Sequence, residues 1–320
     1  MARNRLFGAA RAAGGHPRPR SRWLYGAVVI AVVIGVALAY VPFFRSIGLA
    51  AGTDHHAGHV VYVPVFVVVL LVADRHRLRR SIGRGEAGGA ALTMLATAIL
   101  AVGYQVEAVP LQGVSLVATT AGLVWWICGR RTLRALSFTL GFLLLMLPPP
   151  RQLVAAVIPA MQEFVAAFAA TVLLYVRIPV ERDGISLLLP GTTLDVVEEC
   201  AGLRFVLIVF VFAVAFARLV LPTISTRLTL VAVAVPVAIL TNATRVAALS
   251  AGAHLIGPHV ITGPLHFQIG RAFWALGLLL VVGVACKLRS RANDGTATAR
   301  PGDARDALPG GSNPAVRAKS

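Results

Sequence analysis

Charged residues are scarce in this chain: of its 320 residues, 13% are Asp, Glu, Lys or Arg, whereas 57% are hydrophobic. Soluble domains carry about 25% charged residues. A water-soluble globule of this length cannot bury so much apolar surface, and disordered chains are poor in apolar residues. The composition therefore excludes both classes and indicates an integral membrane protein.

Acidic residues are the scarcer charged type, with 13 Asp and Glu against 30 Lys and Arg and a net charge of +17. Such an excess of positive charge is often typical of nucleic-acid binding. Here, however, the basic residues lie at the two ends of the chain and in short clusters between apolar runs. Because no zinc-finger spacing, aromatic RNA-binding signature or basic solvated helix accompanies them, we predict no nucleic-acid partner.

Charge-poor apolar stretches close to the ~20 residues that a helix needs to cross a bilayer predict eight spans. They cover residues 23–44, 58–73, 87–106, 108–129, 133–149, 201–217, 228–245 and 269–286. A ninth apolar stretch, 152–176, carries four polar residues and Pro159, which favours a re-entrant or interfacial helix. The expected fold class is an all-α polytopic membrane protein.

A polar connector between residues 177 and 199 separates this stretch from the sixth span. Asp183-Gly184 and Pro190-Gly191 are turn signals between runs of β-prone residues. We therefore expect a small β-meander of two or three strands on the outer surface, leading directly into Cys200.

The distribution of basic residues predicts the side of the membrane on which each loop lies. With the N-terminus in the cytoplasm and eight crossings, 23 of the 30 Lys and Arg residues fall on the cytoplasmic side. This divides the chain into a basic cytoplasmic segment (1–22), a membrane domain (23–286) and a disordered cytoplasmic tail (287–320). The location is then a plasma or inner membrane, with the polar connector facing outward.

Only three cysteines are present, and Cys128 and Cys286 fall among apolar residues at the inner ends of spans, as is typical of small buried hydrophobes. Cys200 is predicted at the outer surface, where an unpaired thiol is a liability unless it is used. It opens a helix whose positive end, together with Arg204 four residues on, would favour the reactive thiolate. Two preceding glutamates would oppose this, so the balance stays open.

Ionisable groups at the outer ends of spans are costly and need a reason. Arg204, Arg245 and Arg271 all lie in the first or last turn of a span, and His266 begins the final one. A single arginine there is typical of snorkelling to lipid head groups, but three near a cysteine and a histidine indicate a shared polar site. A further group, His55, His56 and His59, has loose spacing and no accompanying carboxylates, so we predict no metal site.

Three motifs in this order resemble those of the exosortase/archaeosortase family. Glu199-Cys200-Ala201-Gly202-Leu203-Arg204 is similar to the family's Cys-Ser-Gly-Ile-Arg, Asn242-Ala-Thr-Arg245 to its Asn-x-x-Arg, and His266-Phe-Gln-Ile-Gly270 to its His-x-x-x-Gly. Upstream, His59-Val-Val-Tyr-Val-Pro64 resembles a Ser-His-Gly…Pro element of the first loop. The departures are Ala201 in place of Ser and Val60 in place of Gly.

The resemblance implies a membrane cysteine peptidase or transpeptidase of bacterial exported proteins. Its substrates would end in a sorting signal made of a short motif, an apolar helix and a basic tail. It implies Cys200 as nucleophile, His266 as general acid and base, and Arg245 as the group that stabilises the oxyanion or orients the substrate. No cofactor is implied, and the surrounding positions are Arg204, Asn242, Glu199, His59 and Gly270.

Two other classes of function stay open. A transporter would line a polar pathway with the three arginines, although transport sites lie near the membrane midplane and these groups lie at one face. A transferase acting on lipid-linked glycans would hold phosphates with them. Cys200 would be dispensable in either class, whereas a sortase-like enzyme requires it and passes the acyl group to water or to a lipid or glycan acceptor.

Overall fold

The computed structural model describes residues 19–53 and 57–297, and the chain divides into two compact units after Pro150. All regular secondary structure in the described part of unit 1 is helical. Its α-helices are α1 (Pro19–Ala39), α2 (Val41–Thr53), α3 (Tyr62–Ala73), α4 (Arg75–Ser81), α5 (Ala87–Gln105), α6 (Val109–Cys128) and α7 (Arg130–Leu143).

Unit 2 combines long helices with a small sheet. The helices are α8 (Arg151–Tyr175), α9 (Glu198–Ala201), α10 (Leu203–Val220), α11 (Ile224–Leu255), α12 (His259–Thr262) and α13 (Pro264–Ala297). The strands are β1 (Glu181–Asp183), β2 (Ser186–Leu189) and β3 (Thr192–Asp195). Residues 287–297, predicted to begin a disordered tail, are therefore helical, because α13 continues through them. The rest of that predicted tail, 298–320, lies outside the described residues.

Seven helical segments in the described ranges are long and apolar enough to cross a membrane. They are Ala27–Leu49, Ala87–Gln105, Val109–Cys128, Arg151–Tyr175, Glu198–Val220, Ile224–Leu255 and Pro264–Asn293. An eighth crossing arises if the pair Gly58–Ala73 and Arg75–Ser81, bent by 67°, is one span. The predicted class of an all-α polytopic membrane protein is confirmed.

The structure differs from the prediction around Pro150. The stretch 133–149 does not form a span: α7 has 14 residues, about 21 Å at 1.5 Å per residue, which is too short for ~30 Å of hydrocarbon. It is the amphipathic helix of this region. By contrast, 152–176 is not re-entrant, because α8 runs unbroken for 25 residues through Pro159. One span replaces the other, and eight crossings result if the bent pair is counted as one span.

Polar side chains of unit 1 find hydrogen-bond partners within the protein, both in its interior and at an exposed helix end. The hydroxyl of Tyr40 lies 3.0 Å from Ser115 Oγ and 2.9 Å from Thr119 Oγ1. At the start of α5, the carboxylate of Glu86 accepts hydrogen bonds from Trp125 Nε1 at 2.9 Å and from the backbone N–H of Arg130 at 3.3 Å. These bonds join the ends of α5, α6 and α7.

The predicted meander is present as a three-stranded antiparallel sheet in the order β1-β2-β3. Its tight turns use Gly184 and Gly191, whose φ angles of 58° and 84° favour glycine. Leu187, Leu189 and Leu194 are buried and form one apolar cluster with residues of α8 and α11. This cluster holds the sheet against α8 and α11.

Small residues bring α10, α11 and α13 close together. Ala213, Ala217, Ala234, Ala238 and Ala285 are almost completely buried in one cluster. Alanine at such positions lets helix backbones approach closely in a membrane. The cluster packs the N-terminal half of α11 against the second half of α13. Because the two helices run in opposite directions, the C-terminal half of α11 meets the start of α13, where Arg245 contacts His266.

Candidate active site

Cys200 lies in the single-turn helix α9, at the end of the connector that leaves the sheet. Its backbone N–H donates to the Val197 carbonyl oxygen at 2.8 Å. The helix stops at Gly202, which adopts the left-handed conformation with φ +90°. The prediction that Cys200 and Arg204 share one helix is therefore wrong: α10 begins only at Leu203, beyond this break.

Gly202 is required by the close approach of Asn242 as well as by its φ angle. A Cβ atom at position 202 would lie 2.3 Å from Asn242 Nδ2 and 2.5 Å from Asn242 Cγ. Neither distance is possible for a real side chain. The absence of a side chain at Gly202 thus allows Asn242, on α11, to reach the backbone of the cysteine turn.

Asn242 connects the cysteine turn to Arg245. Its Nδ2 donates to the Cys200 carbonyl oxygen at 2.9 Å, and its Oδ1 accepts from Arg245 Nη1 at 3.3 Å. Asn242 is 2% exposed, so both ends of its amide are engaged in a buried position where an unmade hydrogen bond is costly. The amide of Asn242 therefore fixes the position of the Arg245 guanidinium relative to α9.

Arg245 in turn contacts His266 at the start of α13. The two side chains meet at 3.1 Å between Arg245 Nη2 and His266 Nε2. A guanidinium only donates hydrogen bonds, so this contact is a hydrogen bond only when Nε2 carries no proton. Neutral His266 then holds its proton on Nδ1, which is buried without a partner, as is Arg245 Nε.

A cavity of about 430 Å³ opens beside this chain of contacts. Cys200 and His266 both line it, and its volume falls within the ~300–1,000 Å³ range of small-ligand sites. Its other walls come from the sheet, from α11 and from α12. They are formed by Thr193, Leu194, Asp195, Val197, Glu199, Val246, Leu249 and Ile261.

A sequence model of the transmembrane exosortase family matches residues 51–283, which include all of these side chains. The chain belongs to the transmembrane exosortase family. No curated protein and no solved structure matches it. Exosortases are generally multi-pass membrane cysteine peptidases or transpeptidases that act on exported proteins bearing sorting signals. Membership therefore suggests a transpeptidase or sorting role in the membrane for this chain.

The structure of this exosortase brings some predicted site residues together and leaves others apart. Cys200, Asn242, Arg245 and His266 form one continuous chain of contacts. Gly270 lies beneath the guanidinium, where a Cβ atom would be 3.6 Å from Arg245 Nε, an ordinary contact. Two further predicted residues of unit 2 are exposed, Glu199 on the cavity wall and Arg204 beyond the break at Gly202.

His59 lies in unit 1. It is 3% exposed, and its Nε2 lies 3.4 Å from the Leu147 carbonyl oxygen. The neighbouring His55 and His56 lie outside the described residues. Within the described ranges, no three side chains of His, Cys, Asp or Glu are grouped as a metal would require.

Sequence reasoning missed Gln162 on α8. Its Nε2 donates at 2.8 Å to the carbonyl oxygen of Val196, four residues before Cys200. The local signal is a polar residue in an apolar stretch, and that signal favours a re-entrant helix. The cavity-lining residues of β3 and α12 carried no motif that would have indicated them.

Proposed function

We propose that this exosortase cleaves the C-terminal sorting signal of exported proteins by covalent cysteine catalysis at the outer face of the bacterial plasma membrane. The observation that carries the proposal is the continuous path of contacts from the Cys200 backbone through Asn242 and Arg245 to His266. It joins a nucleophile, a cation and a titratable base from three separate elements beside one cavity.

The reaction begins with transfer of the Cys200 thiol proton to His266. The thiolate then attacks the scissile carbonyl carbon, and the negative charge that develops on the carbonyl oxygen is stabilised by Arg245. In a poorly hydrated site such an interaction is far stronger than in water. His266 returns its proton to the leaving amine, which yields an acyl-enzyme on Cys200.

The contact between Arg245 and His266 couples these two steps. When His266 Nε2 accepts the thiol proton, both partners become donors and their hydrogen bond is lost. The guanidinium is then free to interact with the oxyanion as it forms. Water resolves the acyl-enzyme to a trimmed protein, whereas an amine or hydroxyl of a lipid or glycan resolves it to an anchored one.

The neighbouring residues support this chemistry in different ways. Asn242 positions both the cysteine turn and Arg245. Gly270 leaves room for the guanidinium, and Glu199 and Arg204 interact with polypeptide that enters from the outer face.

The proposed sidedness is supported by the basic residues and by a set of eight spans in which the bent pair Gly58–Ala73 and Arg75–Ser81 counts as one. With α8 as the fifth crossing, Arg151 joins the cytoplasmic group, which strengthens the positive-inside bias. Both termini then lie in the cytoplasm, and α9 with the meander faces outward. This is the side on which exported proteins become accessible.

The test compares cells that carry the natural chain with cells that carry Cys200→Ala at equal abundance. Exported proteins that end in a motif, an apolar helix and a basic tail are followed by mass and gel mobility. We expect the variant to lose C-terminal trimming, while Cys286→Ala, which alters an exposed thiol at the far end of α13, retains it. Unchanged trimming in Cys200→Ala would remove the nucleophile and favour the arginine-centred transferase.

A further inference from the structure

The outer edge of strand β3 has backbone groups that no other strand uses. In the described part of the chain the sheet ends at β3, which pairs only with β2. In that pairing Leu187 is opposite Leu194, and Leu189 is opposite Thr192. The backbone N–H of Val196 donates to the Ile185 carbonyl oxygen at 3.0 Å, so residues 192, 194 and 196 bond towards β2.

The alternation of an antiparallel ladder then determines which groups point away from β2. These are the N–H and C=O groups of Thr193 and Asp195. The carbonyl oxygen of Asp195 is already used, because it accepts from Val197 N–H at 2.9 Å. Two donors and one acceptor are left, and we call them the β3 edge: Thr193 N–H, Thr193 C=O and Asp195 N–H.

The β3 edge belongs to the wall of the cavity that contains Cys200. Thr193, Leu194 and Asp195 line that cavity together with the cysteine and His266. Leu194 is buried in the apolar cluster beneath the sheet, whereas Thr193 and Asp195 are exposed. Leu194 therefore holds the strand from below, and the two residues that carry the β3 edge line the space in which the chemistry is proposed to occur.

The open side ends where the cysteine turn begins. After Asp195 the chain turns through Val197 into α9, with Cys200 three residues later. An extended peptide that pairs with β3 can therefore form ladder bonds as far as Asp195 and no further. Its next peptide bond leaves the ladder beside the thiol.

We propose that the exported substrate binds as an added β-strand on the β3 edge, which delivers its scissile bond to Cys200. This inference rests on the function proposed above. The occupant is the extended segment on the exported side of the cleaved bond, with residues paired opposite Thr193 and Asp195. Main-chain bonding of this kind gives affinity that is independent of side chains, and the neighbouring pockets give specificity.

A proline at position 193 tests the main-chain bond. Thr193→Pro removes the outward N–H and places a ring on the open side, yet it spares the ladder with β2, where Thr193 N–H takes no part. The probe is the exported protein whose trimming depends on Cys200. We expect its cleavage by Thr193→Pro to fall about tenfold or more.

A matched variant separates the loss of the outward N–H from other effects of proline. Arg182→Pro places a proline at the corresponding outward position of β1, on the opposite edge of the sheet, and it should retain cleavage. Equal losses in Thr193→Pro and Arg182→Pro would overturn the proposal, as would full activity of Thr193→Pro.

A second measurement applies even if Thr193→Pro fails to accumulate. Thr193→Cys is combined with replacement of all three native cysteines by alanine, and single cysteines are scanned along the probe before its cleaved bond. Strand pairing predicts disulfides at alternate probe positions, since side chains alternate between the two faces. Uniform or absent cross-linking, or cross-linking between two copies of this chain, would overturn strand addition.

Chemical labelling separates a loss of strand pairing from a loss of the reactive thiol. Labelling of Cys200 with iodoacetamide needs no strand pairing, so it should proceed in Thr193→Pro. Loss of cleavage with intact labelling supports the β3 edge. If Cys200→Ala itself leaves trimming intact, the covalent mechanism falls, and substrate pairing beside the thiol falls with it.

Discussion

Asn242 Nδ2 donates a hydrogen bond of 2.9 Å to the carbonyl oxygen of Cys200, which joins two residues 42 positions apart. The same amide accepts from Arg245 Nη1. One buried side chain thus sets the distance between the cysteine turn and the guanidinium of Arg245. The residue positions both groups and need not touch the substrate itself.

Replacing the Asn242 side chain should remove the link between the cysteine turn and Arg245. Asn242→Ala leaves the Cys200 carbonyl oxygen and Arg245 without their buried partner, which costs roughly 1–3 kcal/mol. We expect trimming of the exported protein to fall about 10- to 100-fold at equal abundance. Labelling of Cys200 by iodoacetamide should also slow, because Arg245 is no longer held beside the thiol; this readout separates positioning from a general loss of folding.

Ser250→Ala is the control for the Asn242 variant. Ser250 is fully buried on the same helix, and its Oγ donates to Val246 O within that helix at 3.0 Å. Its loss removes a buried polar group without touching the cysteine turn. If Ser250→Ala slows labelling as much as Asn242→Ala does, Asn242 has no specific positioning role.

A side chain at position 202 should disrupt the site, because it would overlap with Asn242. Gly202→Ala places a methyl group 2.3 Å from Asn242 Nδ2 and also forces an L-residue into φ +90°. We expect a loss of trimming together with lower thermal stability in detergent. The contact with Asn242 is broken, so the activity loss should be at least as large as that of Asn242→Ala.

Gly191→Ala controls for the strain alone. Gly191 also has a left-handed φ, +84°, but a Cβ there meets nothing within 4 Å. Strain of about 1–2 kcal/mol is expected from the conformation, with trimming retained. Similar activity in the two alanine variants would show that the approach of Asn242 has no importance for catalysis.

The planar fork of donors on the Arg245 side chain should be required for trimming. Its Nη1 and Nη2 bond different partners, Asn242 and His266. Lysine carries one compact ammonium and cannot present two donors in this fixed fork. We expect Arg245→Lys to lower the rate of trimming about 10²- to 10³-fold, the usual effect of removing an oxyanion donor.

Arg271→Lys is the matched change for Arg245→Lys. Arg271 is exposed and follows Gly270 on α13, so the same substitution alters a charge at the same end of the membrane domain. It should leave trimming within about twofold of natural, as expected for surface changes. A transporter or a phosphate-binding transferase with an arginine-lined path would instead lose function in both variants.

Ionised Glu86 should stabilise the folded protein in a pH-dependent way. The hydrogen bond from Trp125 lowers the pKa of Glu86, with a smaller lowering by the backbone N–H of Arg130. A lowered folded pKa means that ionised Glu86 stabilises the fold above its unfolded value, and that this stabilisation is lost as pH falls through the folded pKa. Glu86→Gln should therefore melt lower than the natural chain at pH ~7, with the difference shrinking towards pH ~3.

Thermal unfolding in detergent at several pH values measures this difference. Glu181→Gln, on the exposed strand β1, is the control and should show no such convergence. A gap between Glu86→Gln and the natural chain that stays constant from pH ~7 to pH ~3 would contradict the assignment to the ionised carboxylate.

Much of this architecture was predictable from local composition. Apolar runs predicted membrane helices, and the glycines at 184 and 191 predicted the meander, because both signals depend only on neighbouring residues. The wrong assignment of the span on either side of Pro150 also arises because local composition is the only signal. Hydropathy averages cannot show that α7 ends at Leu143, or that Gln162 is satisfied by the Val196 carbonyl oxygen and leaves α8 continuous.

The candidate residues were predictable as types, but their arrangement was not. Cys200, Arg245 and His266 stood out because thiols and charges are costly at the membrane edge. Their joining through Asn242 depends on how closely α9, α11 and α13 pack. Gly202 lets Asn242 approach the end of α9, and small residues such as Ala238 and Ala285 bring α11 and α13 together. The direction of the β3 edge likewise depends on strand register. Local chemistry therefore specified which groups this exosortase carries, while long-range packing, which no sequence window contains, specified which of them meet.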